Sequence, residues 1–68
     1  MKRLPVRSSN LSSIGYDEGV LEIEFKTRKI YQYHNVPNIV YEQLMSAQSH
    51  GKYFASNIKK SYSYSKLR

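Results

Sequence analysis

The 68-residue chain has no cysteine, so neither a disulfide nor a thiolate-held metal can staple it. That absence fits a reducing compartment. The chain also has no apolar run approaching the ~20 residues that span a bilayer. Its first ten residues, MKRLPVRSSN, are basic but lead into no apolar stretch, which is not the pattern of a secretory signal. Together these absences lead us to expect a small soluble cytoplasmic domain with no membrane partner. A third absence is local: residues 51–68 hold no Asp or Glu beside five bases, Lys52, Lys59, Lys60, Lys66 and Arg68. Residues 1–50 are nearly balanced, six Lys/Arg against five Asp/Glu, so most of the formal charge of +6 sits in the last quarter of the chain. Such a bias favours a polyanion near that end. A solubilising tail is the plainer use of the same residues.

A chain this short makes one domain, 1–68, and hides only about 60% of the surface its unfolded form exposes. Its core must be thin. Leu4 and Val6 alternate around Pro5, which suits an edge strand because proline lacks the N–H that a central strand needs. Ser8-Ser9-Asn10 is turn chemistry. Leu11 to Tyr16 reads as a second weak strand with Ile14 and Tyr16 on one face, and Gly15 marks either a bulge or a close backbone approach. Asp17-Glu18-Gly19 is a turn. The clearest strand is Val20 to Lys26, with Leu21, Ile23 and Phe25 on one face and Glu22, Glu24 and Lys26 on the other.

Its partner runs from Ile30 to Asn35, and the loop between them fixes the role of Tyr31 and Tyr33. A two-residue loop puts both tyrosines on the glutamate face. A three-residue loop puts them with Leu21, Ile23 and Phe25, because a shift of one residue flips every side chain. The longer loop separates polar from apolar along both strands at the cost of an outward Ile30, and it is the one expected. Tyr31 and Tyr33 are then core residues, each hydroxyl needing a partner or a path to water.

Pro37 suits a first helical turn. Val36, Val40, Leu44 and Ala47 follow at helical spacing as a buried stripe, with Glu42, Gln43 and Gln48 facing water. The helix breaks at Ser49-His50-Gly51, where Ser49 caps a second helix carrying Phe54 and Ile58 inward. Residues 61–68 alternate Tyr62, Tyr64, Lys66 and Arg68 with Ser61, Ser63, Ser65 and Leu67, as a last strand or an extended arm. The expected fold is α+β, a small antiparallel β-meander of three to four strands packed against two short helices.

Catalysis finds little footing. His34 and His50 have no carboxylate at a useful spacing, and two histidines without cysteine are too few ligands for zinc. The carboxylates fall on turns and outward faces, so we expect no enzyme, metal or cofactor. Ser49, Gly51 and Lys52 form a candidate anion site, because a helix N-terminus presents unpaired N–H groups and partial positive charge. An ordinary cap, with a glycine that permits close packing, explains the same residues. For nucleic acid the sheet's outer face is a poor platform, since Glu22 and Glu24 there repel phosphate. Lys52, Lys59, Lys60, Tyr62, Tyr64, Lys66 and Arg68 are the better surface, charge interleaved with rings as single strands require, and Arg28 and Lys29 at the hairpin tip extend it.

Taken in order, Ile14-Gly15-Tyr16-Asp17, the strand ending at Phe25, Tyr31-x-Tyr33, Val36-Pro37, Ala47-x-Ser49-x-Gly51-x-Tyr53-Phe54 and Ile58-Lys59 resemble the KTSC domain. That family is named for its place at the C-terminus of some lysyl-tRNA synthetases and also occurs as a free-standing small bacterial protein. The resemblance covers roughly Val6 to Tyr64. The family pattern has glycine in the hairpin where this chain has Arg28, so either the turn differs or Arg28 takes a left-handed conformation at some cost. The synthetase connection implies RNA as a partner and no defined chemistry. The expectation is a non-catalytic binder of nucleic acid, RNA before DNA, without sequence-specific readout. A protein-interaction module or homo-oligomer using Ile30 and its sheet neighbours is the other reading.

Overall fold

The computed structural model describes residues 1–68. Five strands, β1 (Arg3–Pro5), β2 (Leu11–Asp17), β3 (Val20–Phe25), β4 (Ile30–Tyr33) and β5 (Tyr64–Lys66), form one antiparallel sheet in the order of the chain. Helices α1 (Asn38–Ser46) and α2 (His50–Asn57) lie between β4 and β5 in sequence. The α+β meander is as expected, but it has five strands rather than three or four. Both edges fall where the sequence offers candidate strands, β1 around Pro5 and β5 within residues 61–68; each is only three residues long, and with both present the sheet exceeds the count expected. Residues 61–68 are thus a turn leading into a last strand, with β5 paired to β4.

The core lies between one sheet face and the helices. Ile14, Leu21, Ile23 and Tyr33 meet Leu44 of α1, Phe54 of α2, and Ile58 just after it. Leu11 and Ile14 are three residues apart yet both point inward, because the β2–β3 register shifts between Leu11 and Ser13. The bulge is therefore there and not at Gly15. A Cβ on Gly15 would lie 2.8 Å from the Lys2 carbonyl oxygen and 3.0 Å from Arg3 Cγ, so Gly15 serves close approach.

The β2–β3 turn is tighter than expected. Asp17 pairs with Val20, leaving Glu18 and Gly19 at φ 46° and 85° as the two turn residues. Pro37 also sits one step earlier than a first helical turn; it is the N-cap of α1, with ψ 148°. Ser49 caps α2 as expected, its hydroxyl accepting from the Lys52 amide at 3.2 Å. His50 Nδ1 lies 2.8 Å from the Leu44 carbonyl oxygen and ties the two helices together.

The β3–β4 loop has three residues, Lys26, Thr27 and Arg28. The Phe25 amide donates to the Lys29 carbonyl at 2.8 Å and the Arg28 amide to the Phe25 carbonyl at 2.8 Å. Arg28 takes the left-handed conformation, φ 72°. A side chain there costs on the order of 1 kcal/mol that glycine would not incur. Replacing Arg28 by glycine should therefore raise the thermal midpoint by roughly 4–8 °C for each kcal/mol recovered. A lower midpoint in a melting experiment would show that the side chain contributes contacts worth more than the strain.

The outer sheet face departs from expectation. Glu22 is only 5% exposed and Ile30 6%. Across the strands, Arg3, Gly15, Glu22, Gln32 and Ser65 stand in one row. With no side chain at Gly15, the Arg3 guanidinium crosses β2 to bond Glu22 on β3. Its Nε donates to Ser13 Oγ at 2.9 Å, and Ser13 donates to Glu24 at 2.8 Å. The two glutamates are thus held by partners and do not form the repelling negative surface expected of them. Ile30 is bracketed by main-chain bonds to Leu67 and Arg68.

Candidate nucleic-acid interface

The three-residue loop decides what β4 shows to the helices. Lys29 stands opposite Phe25, so Lys29, Tyr31 and Tyr33 follow one another on the same face. Tyr64 of β5 pairs with Tyr33 and joins that face. Phe54 reaches in from α2. The result is a cluster of five rings: Phe54 meets Tyr33 edge-on at 5.3 Å and Phe25 at 5.6 Å, while Tyr64 leans on Tyr31 and Tyr33 at 5.4 and 5.7 Å.

These rings line a groove of about 590 Å³ between the hairpin, α2 and β5. Lys26 and Lys29 border it from the hairpin, Lys59 and Lys60 from the turn after α2, and no Asp or Glu lines it. Ser9, Asn10 and Thr27 supply its neutral polar wall. A smaller concavity, lined by Ser49, Gly51 and Lys52, shares Ser9, Asn10 and Ala55 with the groove and continues it along α2.

The rings are graded in exposure. Tyr64 is 57% open to solvent, Tyr31 is half-buried, and Tyr33 is 4% exposed. Burial pushes the Tyr33 phenol up to about 12, with help from neighbouring Tyr31 and Tyr64. Tyr33 therefore stays neutral at physiological pH and sets no negative charge beneath an anionic ligand.

Of the residues singled out from sequence, the groove gathers Lys29, Lys59, Lys60 and Tyr64, while Arg28 lies outside its lining. Lys52 lines the continuation. Lys66 stands opposite Tyr31 on the same sheet face but outside the groove lining. Tyr62 packs against the core, and Arg68 is tied through its backbone to Ile30. At the predicted anion site, the Ser49 hydroxyl already accepts the Lys52 amide. The Asn10 carboxamide oxygen lies 2.4 Å from where a Cβ on Gly51 would begin. Gly51 thus admits Asn10, and the Lys52 ammonium is the group left to meet an anion.

Lys26, Phe25, Tyr31, Tyr33, Phe54, Ser9 and Asn10 are groove residues that sequence reasoning did not count among the site. For Phe25, Tyr31 and Tyr33 the signal was the period-two face of the hairpin, which read as core alone. The interaction reading built on Ile30 loses its anchor, because that side chain is buried. His34 is also tied down, its Nε2 lying 2.9 Å from Ser65 Oγ across β4 and β5.

Sheet, helices and groove define a small α+β domain with one cationic, aromatic cleft. The family model for the KTSC domain matches residues 7–62, and the chain belongs to that family. It is 43% identical over 56 residues to an uncharacterised protein of Stutzerimonas stutzeri, the match covering 79% of each chain. A protein of Tsukamurella paurometabola is 35% identical over 57 residues, covering 81% of this chain and 85% of the other. The crystal structure of a KTSC domain protein from Yersinia pestis superposes with a TM-score of 0.94 at 40% identity, over 98% of this chain and 97% of that one. Nothing in how these proteins are described mentions a tRNA synthetase, so the synthetase connection adds nothing to the reading of this chain. No helix is long and apolar enough to cross a membrane.

Proposed function

We propose that this chain is a small non-catalytic domain that binds single-stranded nucleic acid, RNA in preference to DNA, without sequence-specific readout. The observation that carries the reading is the groove itself: an aromatic floor inside a border of four lysines with no acid among them. Single strands are held by this combination, rings taking the bases and ammonium groups the phosphates. RNA is preferred because its loops and ends display the unstacked bases such a floor requires. Lys52 beyond the groove and Lys66 beside it extend the positive track.

Fluorescence anisotropy with single-stranded RNA and with tRNA across a salt series tests it. Four phosphate contacts on a single strand give a slope of about −3 in log affinity against log salt. No binding at low salt, or binding indifferent to salt, would overturn the reading.

A further inference from the structure

Resting on that reading, we infer that the groove is a slot for a single nucleotide unit, with its base on Tyr64 and Tyr31 and its flanking phosphates on Lys29, Lys59 and Lys60. Size is the first ground. A volume of about 590 Å³ is that of a small-molecule cleft rather than an extended strand-binding channel, since pockets for compact ligands span roughly 300–1,000 Å³.

Ring exposure is the second. Of the five rings, Tyr64 is the one left mostly open, with Tyr31 half-buried behind it at 5.4 Å. Tyr33 and Phe54 are buried, and half-buried Phe25 is locked edge-to-face with Tyr31 at 5.7 Å and Phe54 at 5.6 Å, so these three stiffen this platform instead of adding further stacking positions. The platform therefore accommodates one base.

Charge is the third. The lysines reach the rings from two separate segments, the hairpin and the turn after α2. A base with a phosphate on either side matches that layout. A duplex does not, because its base faces are already stacked on their neighbours and only its edges and backbone are free.

The test is an amide-resolved NMR titration with uridine monophosphate, ribose phosphate, the trinucleotide UpUpU, whose central base has a phosphate on either side, a uridine hexanucleotide and a short RNA duplex. We expect affinity to rise from the mononucleotide to UpUpU and then to level, with shifts centred on Lys29, Tyr31, Lys59 and Tyr64. Tyr64→Ala should weaken UpUpU binding by about tenfold or more, the usual scale of one lost base–ring stack, while Tyr64→Phe retains it. The duplex should bind at least about tenfold more weakly than the hexanucleotide, having no free base face to offer.

Affinity that climbs with every residue up to the hexanucleotide would overturn the slot while leaving nucleic-acid binding intact. So would duplex binding equal to that of the single strand, or ribose phosphate binding as well as the mononucleotide. No response to the hexanucleotide would remove the underlying reading and the slot with it.

Discussion

Exchanging Lys59 and Lys60 together for glutamate lowers affinity for single-stranded RNA at low salt by about a hundredfold or more, the largest binding effect expected for this protein. Both side chains are exposed and both line the groove. Each exchange removes one phosphate contact and sets a repelling carboxylate in its place. Because the border has four lysines and no acid, two reversals turn a uniformly positive border into a balanced one.

The fold should be unaffected, since neither lysine makes an ion pair or a side-chain hydrogen bond. The matched control is Lys2→Glu with Arg7→Glu, which changes net charge equally but outside the groove lining. That control should fall by much less, through the general field alone. Anisotropy titrations of the two double variants decide the matter. Equal losses would mean that overall charge, and not the groove, holds the strand.

Much of the groove's architecture was legible in the hairpin alone. Separating polar from apolar residues along Leu21, Ile23, Phe25, Tyr31 and Tyr33 favoured a three-residue loop over a two-residue one, even against the strain at Arg28. The structure has that loop. The Val36–Leu44 stripe and the Ser49 cap were equally local, each readable within about one or two helical turns.

The groove as a site was not legible, because its halves lie far apart in sequence. Lys26 and Lys29 meet Lys59 and Lys60 only once β5 has returned to β4. Rings with the spacing of a buried face look the same in sequence whether they are fully covered or form the floor of a cleft. The edge strand around Pro5 was readable, but so short a strand does not announce its register, so the partner of Glu22 was hidden as well. Arg3 lies 19 residues away from it and reaches it only across Gly15.

That hidden partner makes Arg3→Ala the substitution with the largest expected effect on stability among the polar residues. Glu22 keeps Gln32 as a donor at 2.8 Å but loses the cation that balances its charge. Removing one partner of a fully buried pair costs about 3–5 kcal/mol; the Arg3 side chain is 25% exposed, so about 2 kcal/mol is the better expectation. In a domain this small, a loss of that size lowers the midpoint by roughly 8–16 °C.

The pH dependence identifies the cause. Burial alone would raise the Glu22 carboxyl, but the hydrogen bonds from Gln32 and Arg3 and the Arg3 charge outweigh it and hold the group below 4.5. The stability this contributes is present above the unfolded value and is lost as pH falls through the lower folded one. Without Arg3, its hydrogen bond and charge no longer oppose burial and the carboxyl moves up from its lowered position, so less of the stability depends on its ionisation. The gap between Arg3→Ala and the parent should therefore be widest at neutral pH and close as pH falls through the parent's lowered folded value. Adding Glu22→Gln to Arg3→Ala should recover about half of the neutral-pH loss, since the unpaired charge is gone. Thermal melts of the three proteins across the acid range measure this directly. A gap that stays constant with pH would assign the loss to the detached β1 strand instead of to the charge it delivers.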